Sequence, residues 1–270
     1  MKLKFLLWAA MSLTFTGVFM SCGNEDVMEQ VKEEEEKENE KEDSEEMADI
    51  LEFAPTSDST VEVIGIKDKF RTEITIPTTI QVDGKEYKVI SLDYLALTES
   101  NVKIVKLAEG FTEIPDYMFY SCSSLTSIEI PSSVTSIGYA AFNFCSGLTS
   151  IEIPSSVTSI GEWAFQGCWK LTSIEIPASV TSIENGAFYD CRGLTSIEIP
   201  SSVTSIGDAA FRDCGLTSIE IPSSVTSIGN SAFAGCGLTS IEIPSSVTSI
   251  GNSAFAGCGL TSIEIPSSVT

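Results

Sequence analysis

The chain has no histidine among its 270 residues, and its 15 Lys and Arg face 38 Asp and Glu. Without histidine, both the usual general base and the commonest zinc ligand are missing, and no Cys-x-x-Cys motif replaces them. A formal net charge of −23 repels a phosphate backbone, so no nucleic-acid binding is expected. This charge favours a basic protein or a divalent cation as a partner.

Catalytic side chains are scarce as well. Beyond Lys106, the sequence has three positive charges, at Lys170, Arg192 and Arg212. Its many serines recur in near-identical contexts without a base beside them, and its repeated glutamates share one environment, whereas an acid–base pair needs two. The sequence therefore predicts a protein that is not an enzyme and that needs no cofactor.

A cysteine recurs at a fixed interval over more than half of the chain. Its spacing is 23 residues from Cys122 to Cys214 and then 22 residues to Cys236 and Cys258. Nearly the same text surrounds each cysteine, and residues 215–236 and 237–258 are identical. Repetition with such a period is typical of a solenoid, in which each unit buries its apolar side chains against its neighbours.

The first half of a repeat unit has the pattern of a strand. Leu148, Ile151 and Ile153 have the spacing L-x-x-L-x-L, and the alternation predicts that Ile151 and Ile153 are buried while Glu152 is exposed. Pro154 lacks a backbone donor and ends this strand.

The second half of the unit returns to the core. Val157 and Ile160 predict a second short strand or extended segment, because β-branched residues favour that conformation. We expect Ala164 and Phe165 to form a short helical turn and Cys168 to point inward. Like positions of stacked units then lie about 5 Å apart with parallel side chains, so we expect buried free thiols rather than disulfides.

This text, I-P-x-S-V-T-S-I-G-x-x-A-F-x-x-C over about 102–270, strongly resembles the BspA-like leucine-rich repeats of bacterial surface proteins. The resemblance implies a leucine-rich-repeat solenoid of short parallel strands, short helical turns and loops. Members of that family are linked with attachment to host proteins and to other cells. Adhesion is therefore the function that the resemblance implies.

The N-terminus has the features of an export signal. Lys2 and Lys4 precede an apolar run over 5–20, which is short for a membrane span. The following Cys22 resembles the lipidated cysteine of bacterial lipoproteins, so 1–22 is interpreted as a lipoprotein signal peptide. We expect the lipid to anchor the chain to the outer membrane, at the cell surface or in the periplasm. The alternative is an ordinary signal peptide with an incidental cysteine.

Residues 23–50 hold 14 Asp and Glu but three Lys, and we expect a disordered acidic linker. Acidic residues so soon after the lipid cysteine also resemble the surface-export signal of Bacteroides-type lipoproteins.

Residues 51–100 are predicted to form a β-rich N-terminal cap ahead of the repeats at 101–270. Three segments alternate like strands, at 61–64, 73–76 and 87–90, and Asp83-Gly84 indicates a hairpin. The last unit stops at Thr270, before the expected Ser-Ile-Gly, so we expect that the natural array continues.

One glutamate recurs on the predicted strand face of each unit and forms what we call the acidic column: Glu129, Glu152, Glu175, Glu198, Glu220, Glu242 and Glu264. Neighbouring carboxylates about 4.8 Å apart repel one another, by roughly 1–3.5 kcal/mol. One interpretation is a solvated face that discourages association between sheets. The other is a track for a divalent cation or a basic partner.

The units differ from one another mainly around the bend and the following loop. We call the most distinctive of these positions the variable surface: Tyr139, Phe144, Trp163, Trp169, Lys170, Tyr189 and Arg192. Aromatic residues and arginine are the usual anchors of protein recognition, so this surface is predicted to bind a protein partner, which the resemblance implies is a host matrix protein or another cell. Alternatively, it is unconstrained surface with aromatics partly buried between units. The rival functions are a passive spacer or surface coat and a carbohydrate-binding module.

Overall fold

The computed structural model describes residues 50–93, 96–98 and 100–270. The predicted signal peptide, Cys22 and nearly all of the predicted acidic linker lie outside these residues. Within the described residues, no helix has the length and apolarity that crossing a membrane requires.

The first part of the described chain is a four-stranded sheet. Its strands are β1 (Leu51–Pro55), β2 (Thr60–Ile66), β4 (Thr79–Val82) and β5 (Lys85–Leu92), in the order β1-β2-β5-β4. Asp83 and Gly84 both have positive φ and form the predicted hairpin, but it joins β4 to β5, whereas the sequence predicts it between 73–76 and 87–90. The partner strand β4 was not recognised in the sequence.

A first series of parallel pairs runs along the Leu-x-x-Ile-x-Ile segments. It comprises the sheet β3-β6-β8, formed by β3 (Glu73–Ile76), β6 (Ile104–Leu107) and β8 (Ser127–Glu129), and the pair of β10 (Ser150–Ile151) with β12 (Ser173–Ile174). Because β3 precedes the repeats but pairs in parallel with β6, the repeat register begins inside the segment 51–100.

A second series of parallel pairs runs along the Val-Thr-Ser-Ile segments and extends farther along the chain than the first series. Its sheets are β11-β9-β7 and β13-β14-β15-β16. The strands are β7 (Glu113–Ile114), β9 (Ser136–Ile137), β11 (Ser159–Ile160), β13 (Ser182–Ile183), β14 (Ser205–Ile206), β15 (Ser227–Ile228) and β16 (Ser249–Ile250). Each serine and isoleucine pairs with its equivalent one unit away, which confirms the register of the solenoid.

A glycine follows each of these second strands except β7, where Pro115 stands, and β13. A Cβ on Gly161 would lie 2.7 Å from the backbone of Gly138, so neighbouring units leave no room for a side chain there. Glu184 takes this position after β13, and the pairing of the second series is interrupted between β11 and β13.

The predicted helical turn at Ala164 and Phe165 is wrong. This segment is a run of turns in which the amides of Trp163, Phe165 and Gly167 donate to carbonyls of the next unit at 2.8–2.9 Å. The intervening amides bond three residues back within the unit, for example Gln166 to Trp163 at 3.1 Å. Trp163 and Gly167 both have positive φ, which a right-handed helix cannot contain, so the helix does not form.

The core consists of rows of identical side chains. Seven phenylalanines stack face to face with ring centroids 5.2–5.6 Å apart, namely Phe119, Phe142, Phe165, Phe188, Phe211, Phe233 and Phe255. The cysteines of the repeats are free thiols, buried from Cys122 to Cys236 and partly exposed at Cys258, as predicted. Each thiol from Cys145 to Cys258 donates to a phenylalanine carbonyl of the preceding unit, as Cys145 does to Phe119 at 3.0 Å.

Candidate functional site

The acidic column is solvent-exposed along its whole length, and the isoleucines Ile151 and Ile153 on either side of Glu152 are buried as predicted. The strand on which it was placed is shorter than expected, however. Within the described residues, β10 ends at Ile151 and β12, the last strand of the first series, ends at Ile174, so Glu129 in β8 is the one member of the acidic column that lies in a strand. From residue 195 onward, the amide bonding between units on this face is reduced to Thr217 donating to Thr195 at 3.3 Å.

Lys106 lies at the N-terminal end of the acidic column. It pairs with Glu129 in register, and its Nζ lies 3.6 Å from Glu129 and 3.0 Å from Glu73. The hydrogen bond to Glu73 and the charge of Glu129 raise the pKa of Lys106. This lysine offsets the repulsion at the start of the column, and all three side chains remain largely hydrated.

A shallow groove of about 610 Å³ lies beside Glu129 and Glu152 and is lined otherwise by serines, isoleucines and Pro154. Within the described part of the chain, no three acidic or cysteine side chains converge into a group that could hold a metal ion. Both interpretations of the acidic column, the solvated face and the cation track, stay predictions.

Trp169 and Arg192 of the variable surface meet at Asp190. The indole nitrogen of Trp169 donates to Oδ2 of Asp190 at 2.9 Å, and Nε of Arg192 donates to Oδ1 at 2.7 Å. Trp169 is nevertheless 46% exposed, which leaves most of one large aromatic face in solvent while a hydrogen bond fixes its orientation. Lys170, the next residue, is also exposed.

Trp163 and Tyr189 form a second group on the variable surface. Their rings meet edge to face with centroids 6.0 Å apart, and the guanidinium of Arg212 lies 5.7 Å from the Tyr189 ring. Both aromatics are half-buried, so this group contributes to packing between units as well as to the surface.

Tyr139 and Phe144 belong to a third group, which includes two residues that the sequence analysis did not single out. Tyr117 contacts Tyr139 at a centroid distance of 5.3 Å, and Tyr120 contacts Phe144 at 6.2 Å. Tyr117 and Tyr120 lie in the degenerate first unit, whose divergent text hid their equivalence to the variable positions. Their spacing, five residues and two residues before Cys122, is the signal that could have revealed them.

Trp163 and Phe144 of the variable surface lie at two positions per unit at which the backbone is left-handed. The first is held by Tyr117, Ala140, Trp163, Gly186, Ala209, Ser231 and Ser253, and the second by Ser121, Phe144, Gly167, Asp190, Asp213, Gly235 and Gly257. A bulky residue in this conformation costs about 1–3 kcal/mol, which glycine avoids. Tyr117, Phe144 and Trp163 therefore occupy positions where other units use glycine or a small residue.

Phe144 and Trp163 each lie over a glycine of the following unit. A Cβ on Gly167 would lie 2.5 Å from the ring of Phe144, and a Cβ on Gly186 would overlap the indole of Trp163. The rings thus lie along the array rather than projecting freely, and the glycines provide the space for them.

A family model of the BspA type leucine rich repeat region matches the chain in six copies, over residues 112–238 and 204–270. These residues are more than half of the chain and include the acidic column and the variable surface. No curated protein matches the chain significantly.

Solved structures of bacterial leucine-rich repeat proteins are similar to this chain. A protein from Bacteroides ovatus has 33% identity and a TM-score of 0.73, and the match covers 82% of this chain and 59% of that protein. One from T. pallidum has 26% identity and a TM-score of 0.55, covering 78% and 88% of the two chains. One from Eubacterium ventriosum, at 23% identity and a TM-score of 0.55 over 74% and 61%, shares the fold.

Proposed function

Because the chain belongs to the BspA type leucine-rich repeat family, we propose that it is a non-enzymatic adhesion protein that binds proteins of a host matrix or of other cells through its variable surface. Leucine-rich repeats generally act as scaffolds for protein–protein interaction, and their extended surfaces suit large partners. The partner that the proposal names is a protein, with no cofactor and no nucleic acid.

The fixed and exposed indole of Trp169 is the observation that carries this proposal. Protein interfaces are anchored by aromatic and arginine side chains whose conformation is set before binding, because less entropy is then lost on association. Trp169 and Arg192 both donate hydrogen bonds to Asp190. The contacting rings of Trp163 and Tyr189 lie close to these residues in the sequence.

The proposed location is the bacterial cell surface, with Cys22 lipidated and 23–50 as the spacer between membrane and repeats. Two acyl chains on such a cysteine would anchor a soluble domain stably. The acidic column then serves as a hydrated face that keeps neighbouring sheets apart.

The proposal is tested by removing the two tryptophans without disturbing the fold. Trp163→Ala gives the residue that Ala140 and Ala209 provide at the same left-handed position, and Trp169→Ser gives the residue of the equivalent Ser146. We expect the double variant to bind immobilised host matrix proteins at least about tenfold more weakly, because each lost anchor costs about 1–2 kcal/mol or more.

Ser231→Ala with Ser253→Ala is the matched control, because these serines hold the same position in the later units. Their replacement should leave binding unchanged. If the tryptophan variant binds as well as the parent protein, the variable surface is not the site. Binding to glycans but to no protein would favour the carbohydrate-binding alternative, and binding to neither would favour the passive spacer.

A further inference from the structure

A pocket of about 440 Å³ lies where the first sheet meets the first repeat unit. Its lining comes from β2, from the end of β5 and from the turn after β7: Glu62, Ser91, Leu92, Asp93, Asp116, Tyr117 and Tyr120. Three of these seven residues are carboxylates, two are tyrosines, and none is a cation.

The two tyrosines provide an exposed and a partly buried aromatic ring at this pocket. Tyr117 is 46% exposed, and its ring meets that of Tyr120 at a centroid distance of 6.0 Å with 68° between the planes. Tyr139 and Phe144 extend this cluster along the next unit. Tyr117 is also left-handed at a position where the other units, apart from the one with Trp163, have alanine, serine or glycine, so a large ring is kept there at a cost in backbone energy.

Two of the carboxylates are held in fixed orientations. Glu62 accepts a hydrogen bond from Ser91 at 2.9 Å, and Oδ1 of Asp116 accepts the amide of Tyr139 at 2.7 Å. Within the described residues, neither Glu62 nor Asp116 forms an ion pair. Their charges are therefore left for a group from outside the chain.

We propose that this pocket binds an arginine side chain of the partner protein. A guanidinium is planar, stacks on aromatic faces and donates to carboxylates through a rigid fork, so it matches the tyrosines and the acids together. The net charge of −23 adds long-range attraction for a basic partner. This inference rests on the proposed protein-binding function and adds a second contact, N-terminal to the tryptophans, with a stated chemistry.

The test uses the full chain labelled with 3-fluorotyrosine, which gives one fluorine resonance for each of its six tyrosines. The probe is the peptide acetyl-Gly-Arg-Gly-amide, and its twin carries citrulline, which has nearly the shape of arginine without its charge. We expect the arginine peptide to shift the resonances of Tyr117 and Tyr120 saturably, to leave Tyr189 unchanged, and to bind at least about fivefold more tightly than the citrulline peptide.

Asp116→Asn is the decisive variant, because asparagine already provides the same backbone cap elsewhere. Oδ1 of Asn230 accepts the amide of Asn252 at 2.8 Å, as Oδ1 of Asp116 accepts that of Tyr139. Asp116→Asn should weaken the arginine peptide about fivefold. Asp208→Asn, at the same position in a later unit, is the matched control and should have no effect.

Tyr117→Ala removes the ring and places at this left-handed position the residue that Ala140 and Ala209 provide in other units. It should weaken the binding of the arginine peptide about as much as Asp116→Asn does. Equal shifts with both peptides, unchanged affinity in Asp116→Asn, or an equal loss in Asp208→Asn would each overturn the proposal. A stronger response to choline chloride than to the arginine peptide would assign the pocket to a quaternary ammonium instead.

The two proposals fail separately. If the chain binds matrix proteins through its tryptophans but the fluorine resonances ignore the arginine peptide, only the arginine site is refuted. If the peptide titrates as expected but no matrix protein is bound, only adhesion is refuted.

Discussion

The earlier repeats and the last repeats share one backbone but present different surfaces. From about 117 to 192, the two left-handed positions and the following loop hold tyrosines, tryptophans, a phenylalanine and charged residues. From 215 onward, the same positions hold serine and glycine in two identical units. The phenylalanine stack continues through both regions, and the serine–isoleucine pairing occurs in both, with its interruption between β11 and β13. The scaffold therefore depends on the shared positions, and the surface chemistry can vary without affecting it.

High pH should have the largest effect, and it should act on both regions. Burial raises the pKa of the thiols well above the ordinary value of 9.0, to about 12 at Cys122. The unfolded chain releases these protons first, so stability is fully present below pH 9 and is lost as the pH rises toward the folded pKa. Each buried thiol contributes about 1.4 kcal/mol of destabilisation per pH unit in that window.

Urea unfolding at pH 8 and pH 10 measures this effect. Cys168→Ala should reduce the difference in unfolding free energy between the two pH values by one thiol's share, about 1.4 kcal/mol. The same substitution at the partly exposed Cys258 should change it less. Identical urea midpoints at both pH values would contradict the prediction.

Removing a stacked ring should cost the same in either region. Phe142 and Phe233 are both fully buried between two neighbouring rings, so Phe142→Ala and Phe233→Ala should each reduce the free energy of unfolding by about 3–5 kcal/mol. Phe255→Ala should reduce the free energy of unfolding by less, because Phe255 is partly exposed. Chemical unfolding of the three variants measures this order, and a twofold difference between Phe142 and Phe233 would show that the regions do not share one core.

Replacing a left-handed glycine with alanine should destabilise the earlier repeats more than the last repeats. At Gly186 it would overlap the Trp163 indole, and Gly186→Ala should destabilise the protein by about 3 kcal/mol. At Gly257 the nearest atoms would lie 3.6 Å away, so Gly257→Ala should cost only the backbone term of about 1 kcal/mol.

Adding Trp163→Ala to Gly186→Ala should recover about 2 kcal/mol, because the overlap is then removed. This double-mutant cycle can be measured by thermal or urea unfolding. If the second substitution brings no recovery, the indole does not lie over Gly186 in solution.

Calcium should have the smallest effect. If the acidic column binds divalent cations, millimolar calcium should raise the melting temperature above its value in EDTA, and neutralising Glu152 and Glu175 to glutamine should abolish the rise. An unchanged melting temperature would remove the cation interpretation and leave the solvated face. The glutamine variant is then expected to be slightly more stable, by a few tenths of a kcal/mol, because fewer like charges face one another.

The register and the core could be predicted from the sequence because each unit repeats the same apolar positions. The spacing of the apolar residues in one unit allows a single set of side chains to face the core. The structure buries all six of them: Leu148, Ile151, Ile153, Val157, Phe165 and Cys168. The turn could not be predicted, because residues as different as Trp163, Gly186 and Ser231 occupy one left-handed position. No propensity marks such a position when glycine is absent from most units.

The candidate site could be predicted only in part for a related reason. Differences between units identified Trp163, Trp169 and Arg192, but those differences are visible only where the repeat text is clear. Tyr117 and Tyr120 lie in a degenerate unit, and the carboxylate of Glu62 comes from a strand outside the repeats. Their convergence depends on how β2 and β5 meet the first unit, which no periodicity in the sequence describes.

The bonds between units have a mechanical consequence. The hydroxyls of Ser156, Ser202 and Ser246 bond to valine carbonyls one unit back at 2.6–2.7 Å, alongside the parallel amide bonds. A tensile load applied through the last unit would therefore break the bonds between one pair of neighbouring units at a time. Each break would release a unit of about 22 residues and lengthen the chain by roughly 70 Å. Under such a load the chain would lengthen in steps of nearly equal size, one unit at a time.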